Sequence, residues 1–272
     1  MKYLHRILLS LLLSLLICST AIAGQWEDYS RFMDRFYFLD KQNFDNVSCR
    51  VVVSTLDDML SKIKTQLKPM EDKIKIIEDF SEFKLNFNRT HGLSFHLPSF
   101  DAQIISEEGI RDRDRVERGI RYMKNGFKMQ IDGVTQMIRG LFETYLSPKE
   151  SDYNIKEVTI GGDEAKIVYE KEGSEVTYVY SKNECNSTAI MPSGTTQSNI
   201  KFTIVGDKLI MHDASVQLSQ TSMSTSTNIS INYKEIKSII FPTQIIGKSK
   251  VVMQNMAQEG QYEINLVDCT VE

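Results

Sequence analysis

Nothing limits the fold of this chain more than the stretch from Tyr153 to the C-terminus, where helical period is absent and alternation recurs. Apolar residues alternate at Ile155–Ile160, Ala165–Tyr169, Val176–Tyr180, Ile200–Val205, Leu209–His212, Ile229–Tyr233, Ile236–Ile246, Val251–Met256 and Tyr262–Val271. Residues two apart on a strand share a face, so such runs read as half-buried strands. Turn residues separate them at Gly161-Gly162-Asp163, Lys171-Glu172-Gly173, Gly206-Asp207 and Gln258-Glu259-Gly260. Connections this short join antiparallel neighbours, because a parallel crossover needs about a dozen residues or more. The sequence therefore predicts an antiparallel meander and excludes a dinucleotide-binding βαβ fold. Gln217–Asn228, almost all Ser, Thr and Gln, reads either as a loop or as the solvent-facing part of a strand.

The first half has another character. Residues 25–39 predict an aromatic helix, with Trp26, Tyr29, Phe32, Met33, Phe36 and Tyr37 at spacings of three and four. Such a helix either docks on a core or acts as a flap over an apolar pocket. Phe44–Ser54 predicts a strand, with Val47, Cys49, Val51 and Val53 on one face. Ser54, Thr55, Asp57 and Asp58 then mark a helix start, because short oxygens satisfy the free N–H groups there. Leu56, Met59, Leu60, Ile63 and Leu67 carry that helix on. Pro69 predicts the start of a second helix, Met70–Phe80, since proline suits a first turn. Phe83, Leu85 and Phe87, then Leu93, Phe95 and Leu97, predict a hairpin. Asp112–Ser147 is the most periodic segment of all, stepping through Val116, Ile120, Met123, Phe127, Ile131, Val134, Ile138, Leu141 and Tyr145 before Pro148 stops it. The fold expected is α+β: a single domain over residues 24–272, in which a curved antiparallel sheet, an unclosed barrel, carries a helical layer or lid.

Within the long helix, Gly119, Gly126, Gly133 and Gly140 recur every seven residues, each followed by an apolar residue: Ile120, Phe127, Val134 and Leu141. Seven residues is close to two turns, so the glycines form one stripe. Each costs about 1 kcal/mol relative to Ala inside a helix. Three accounts of the ladder are open. Close packing against a neighbouring element would exclude side chains. A bare stripe could form a wall of an apolar ligand cavity, with the four glycines and their apolar followers as the lining. An ancestral heptad duplication would leave no present role.

The N-terminus sets an address. Lys2, His5 and Arg6 precede an apolar run, Ile7–Cys18, broken only by Ser10 and Ser14. Small residues then stand at Ala21 and Ala23, as a signal peptidase requires. A run of about a dozen is too short for the roughly 20 residues of a spanning helix. A cleaved signal over residues 1–23 is expected, and with it an exported protein, periplasmic in a Gram-negative host. Cys18 follows Leu16 and Ile17, which excludes the small residue a lipid-modified cysteine needs before it. No later segment approaches the length of a membrane span. Cys49, Cys185 and Cys269 remain, and an oxidising compartment permits one disulfide among them. All three pairings are open.

Formal net charge is −4, and Lys and Arg are scattered, so a nucleic-acid footprint is absent. The densest charged run, Glu107–Arg121, alternates sign as a solvated helix start does. His91, His96 and His212 fall in no metal-binding spacing, and no cofactor is expected. There is no nucleophile elbow and no phosphate loop. These absences point to a protein that is not an enzyme.

The element order, together with the C-terminal segments Tyr233–Lys237, Phe241-Pro242-Thr243-Gln244-Ile245 and Tyr262–Leu266, resembles the periplasmic lipoprotein carriers of the LolA and LppX type. The resemblance implies an unclosed half-barrel with an inserted helical lid, holding a lipid or acyl chain between sheet and helices. The alternative is a structural or protein-interaction module of the envelope with no ligand cavity.

Overall fold

The structure, a computed structural model, describes residues 24–152, 154–171, 173–253 and 256–272. The expected export signal lies outside these residues. Among these residues the fold is α+β, with a large antiparallel sheet that does not close and three α-helices. The helices are α1 (residues 24–33), α2 (Ser54–Leu67) and α3 (Arg113–Glu143). The first strands are β1 (Asn46–Val53), β2 (Ile74–Asp79), β3 (Lys84–Asn88), β4 (Gly92–His96) and β5 (Ser99–Ile104). After α3 come β6 (Asn154–Gly161), β7 (Glu164–Lys171), β8 (Ser174–Ser181), β9 (Glu184–Met191), β10 (Gly194–Val205), β11 (Lys208–Gln220), β12 (Met223–Ile236), β13 (Ile239–Met253) and β14 (Met256–Val271). Among the described residues the main sheet runs β4-β3-β1-β14-β13-β12-β11-β10-β9-β8-β7-β6, and β2 with β5 forms a separate ribbon. Two compact units emerge: residues 24–37, 147–230 and 248–260, and residues 38–146, 231–247 and 261–272.

The first unit is the meander with α1. Its strands pair antiparallel in register, from Gly161↔Glu164 at one hairpin to Val205↔Lys208 at another. Gly162, at φ +66°, supplies the left-handed backbone that the first of these turns requires. The aromatic stripe of α1 docks on the sheet: Phe32 and Phe36 meet Tyr180 edge-on at 5.2 and 5.6 Å, and Phe36 meets Phe202 at 5.0 Å. The helix stops short of the expected residue 39. The Tyr37 N–H donates instead to the Leu209 carbonyl at 2.9 Å, and the Leu209 N–H to the Arg35 carbonyl at 2.8 Å. The Ser/Thr/Gln stretch is strand rather than loop, with Gln217↔Ser226 and Ser219↔Ser224 paired across β11 and β12. β9 has no counterpart in the sequence reading. Only Cys185 in it is buried, so there is no apolar alternation to see.

The second unit carries α2, α3 and the ribbon. β1 buries Val47, Cys49, Val51 and Val53 in strict alternation. It pairs with β3 on one side and β14 on the other. Cys49 and Cys269 form a disulfide, with Cα atoms 4.1 Å apart, where the β1–β14 register shifts. Beside it the Arg50 guanidinium holds the Asp268 carboxylate at 2.9 Å. Gly247 of β13 is obligatory for a different reason: the Tyr262 ring lies where its Cβ would stand.

The expected helix Met70–Phe80 is not there. Pro69 opens only a 3-10 turn, Lys68–Met70, and β2 follows. Ile74, Ile76 and Ile77 are β-branched and favour extended backbone. Pairing Ile74↔Ile104 and Ile76↔Ala102 with β5 satisfies that backbone and buries Ile74 and Ala102.

Candidate functional site

α3 dominates the helical side of the second unit. Asp112 caps it, accepting from the Arg115 N–H at 2.9 Å, and the Thr144 hydroxyl closes it on the Leu141 carbonyl at 2.6 Å. Its inner face is spent on aromatic packing. Phe127, 2% exposed, stacks on Phe100 at 4.8 Å and meets Phe80 edge-on at 5.2 Å. Phe142, 1% exposed, meets Phe241 at 5.4 Å and Phe87 at 6.0 Å. Ile120, Val134 and Leu141 are buried on the same face.

The glycine stripe points elsewhere. Gly119, Gly133 and Gly140 are exposed and Gly126 is half-buried. A Cβ added at any of the four would meet nothing within 4 Å. Close packing against another element therefore does not explain the ladder within this chain. The same helix carries Tyr122 at 82% and Met129 at 74% exposure. The structure thus separates what the sequence had grouped, with the glycines on an open flank and their apolar followers in the core.

Of those candidates, Ile120 lines an open groove. Between the first turns of α3 and β5 lies a depression of about 360 Å³, floored by Ala102, Ile104 and Ile120 and rimmed by Arg113, Glu117, Arg121 and Lys124. Ile120 also packs with Ile74 and Ala102 in a small cluster edged by Leu67, Met70, Ile104, Val116 and Met123. Most of the rim charge is neutralised. Arg113 bonds Glu117 at 2.8 Å and pairs with Glu107, and Lys124 pairs with Asp101. That ammonium holds the Asp101 carboxyl below its ordinary value. A second groove, of about 520 Å³, lies along α2, the Lys68–Met70 turn and β2, lined among others by Lys64, Leu67, Lys68, Ile74, Lys75 and Ile76. Sequence reasoning missed its residues because it placed Met70–Phe80 in a helix.

Other polar side chains among the described residues meet in pairs. Tyr145 and Tyr233 share a hydroxyl–hydroxyl hydrogen bond, and burial pushes both phenols upward, so the pair is neutral at physiological pH. His96 lies 3.6 Å from Glu82 and His212 3.4 Å from Asp213, both exposed pairs. Among the described residues no group of three His, Cys, Asp or Glu side chains could hold a metal, and no helix is long and apolar enough to cross a membrane. Cys185 is a buried free thiol. Compared with known proteins, the chain matches no family model, no curated protein and no solved structure.

Proposed function

We propose that this chain is an exported, non-enzymatic protein of the cell envelope that binds a lipid or other hydrophobic ligand on the helical side of its second unit. The observation that carries the reading is the groove between α3 and β5, where helix and strand part over an apolar floor of Ala102, Ile104 and Ile120. Its volume of about 360 Å³ falls within the ~300–1,000 Å³ range of small-molecule sites. In this reading the strands of the second unit form the curved wall of a half-barrel, and α2, α3 and the ribbon form its lid. The ligand enters at the edge of the lid, because Phe127 and Phe142 already fill the space beneath it. Export follows from the signal over residues 1–23, and the mature chain should begin at Gly24 on N-terminal sequencing.

The test is direct. Purified protein is extracted with organic solvent and the extract examined by mass spectrometry, and a fluorescent fatty-acid probe is titrated in parallel. Bound lipid, or probe binding with amide shifts along residues 102–124, is expected. Repeated preparations without lipid and without probe binding would remove this reading.

One observation favours a second reading. Tyr122 and Met129 stand in solvent on α3, where a partner protein could use them. A photo-cross-linker at position 122 that captures one reproducible partner in intact cells, with no lipid in the extract, would establish an interaction module instead.

A further inference from the structure

We propose that the groove along α2 and β2 is a separate site for an anionic amphiphile, a molecule with a phosphate or carboxylate head and a single apolar chain. It rests on the ligand-binding reading only in the ligand's apolar part, and it lies at a different groove.

The local chain path builds the site. Lys64 and Lys68 are four residues apart at the end of α2, so both ammoniums project from one side of the helix. Pro69 then turns the chain into β2, where Ile74 and Ile76 share one face, while Lys75, which points to the other face, also lines the groove. Leu67, Ile74 and Ile76 make an apolar floor, and three lysines stand at its rim with Glu71 as the facing acid. The volume of about 520 Å³ is larger than that of the α3–β5 groove.

Charge pairing distinguishes the two grooves. Along α3, Arg113 and Lys124 are each held by carboxylates, and among the described residues Arg121 alone of the rim cations makes no ion pair. Along β2, only Lys64 is, by Glu78 at 2.6 Å. Among the described residues Lys68 and Lys75 make no ion pair, although the chain as a whole is acidic, with formal net charge −4. Two unneutralised ammoniums over an apolar floor, in an otherwise acidic protein, match an anionic head joined to an apolar tail. Neither half suffices. A free phosphate gains only screened surface charge. A neutral chain gains only the apolar contact and leaves the exposed lysines in water. The amphiphile engages both, and the ammonium–oxyanion hydrogen bonds are of the stronger, charge-assisted kind.

The experiment uses the mature full-length protein and isothermal titration calorimetry with dodecyl phosphate below its micelle concentration. Inorganic phosphate and dodecanol are the comparison probes. The variant is the double substitution Lys68→Gln, Lys75→Gln. Both positions are exposed, and an unchanged melting temperature verifies that the variant folds. Dodecyl phosphate should bind the wild type at least tenfold more tightly than either comparison probe. The double variant should lose at least tenfold, and amide shifts should map to residues 64–76. Sedimentation with phosphatidylglycerol vesicles, against phosphatidylcholine, identifies the source. Co-sedimentation that the variant loses means a membrane headgroup; monomer binding without co-sedimentation means a free amphiphile; both support the site. Equal affinity of wild type and variant for dodecyl phosphate, or equal affinity of wild type for dodecyl phosphate and dodecanol, overturns the proposal and leaves the hydrophobic-ligand reading standing. No binding of any chain-bearing probe overturns both.

Discussion

Replacing the ladder glycines by alanine should stabilise the protein. Gly119, Gly126 and Gly133 lie inside α3, at least one turn from either end, and an added Cβ at each meets nothing within 4 Å. The substitution therefore carries no steric cost in the folded chain, while it removes the backbone entropy that glycine loses on folding. The helix scale gives about 0.5–1 kcal/mol for each, and roughly 1.5–3 kcal/mol for the three together. The sites are about 10 Å apart along the helix, so their effects should add. Gly140 lies in the last turn before Glu143 and should contribute less. At about 2–4 °C per kcal/mol for a chain of this size, the triple variant should melt roughly 3–12 °C higher. Differential scanning calorimetry reads this directly. Gly247→Ala is the internal control, because its Cβ would fall within the Tyr262 ring and the variant should melt lower. A lower melting temperature for Gly126→Ala or Gly133→Ala would refute the reasoning, since it would mean that something outside this chain lies against the stripe.

Four further outcomes follow from the packing. Phe142→Ala should cost about 3–5 kcal/mol in urea unfolding, because the side chain is buried against Phe87, Tyr145 and Phe241. Reducing the Cys49–Cys269 bridge, which spans a sequence separation of 220, should lower stability by up to about 5 kcal/mol on the chain-entropy account, read as a shift of the urea midpoint with and without reductant. Burial pushes the Cys185 thiol from 9.0 up to about 12, so iodoacetamide at pH 8 should label it only after denaturation. Tyr145, Tyr180 and Tyr233 are raised in the same direction. The folded state thus keeps protons that the unfolded chain gives up, so this stability is full below about pH 9 and should fall as pH climbs through 10 towards 12, seen as a declining melting temperature.

Where one periodicity persists and one face is buried, the sequence is a good guide. α3 steps by three and four through Ile120, Phe127, Ile131, Val134, Ile138 and Leu141, and every one of these is buried. β1 alternates and buries Val47, Cys49, Val51 and Val53. The signal fails where a strand is wetted on both sides. β9 shows Asn186 exposed and Ser187 and Thr188 only half-buried, and on its β10 side the Asn199 amide donates to the Asn186 amide oxygen at 2.9 Å. Backbone pairing holds such a strand without any pattern in its side chains. The glycine ladder misleads for a related reason. A missing side chain records that none is needed, and it does not say whether a neighbour, a ligand or water stands in its place.

The candidate site turned on one misread period. As a helix, Met70–Phe80 would line up Glu71, Lys75 and Glu78 at spacings of four and three, an ordinary solvated face. As a strand, the same residues put Ile74 and Ile76 on one face and Lys75 on the other, and all three line a groove. A short apolar run such as Ile74-Lys75-Ile76-Ile77 fits either period. What decides between them is β5, which begins just after Pro98 and pairs Ile74 with Ile104 and Ile76 with Ala102. That partner is distant in sequence and has only Phe100, Ala102 and Ile104 to mark it. The groove therefore becomes visible only once the non-local pairing is known, although Lys64, Lys68 and Lys75 themselves lie within a dozen residues of chain.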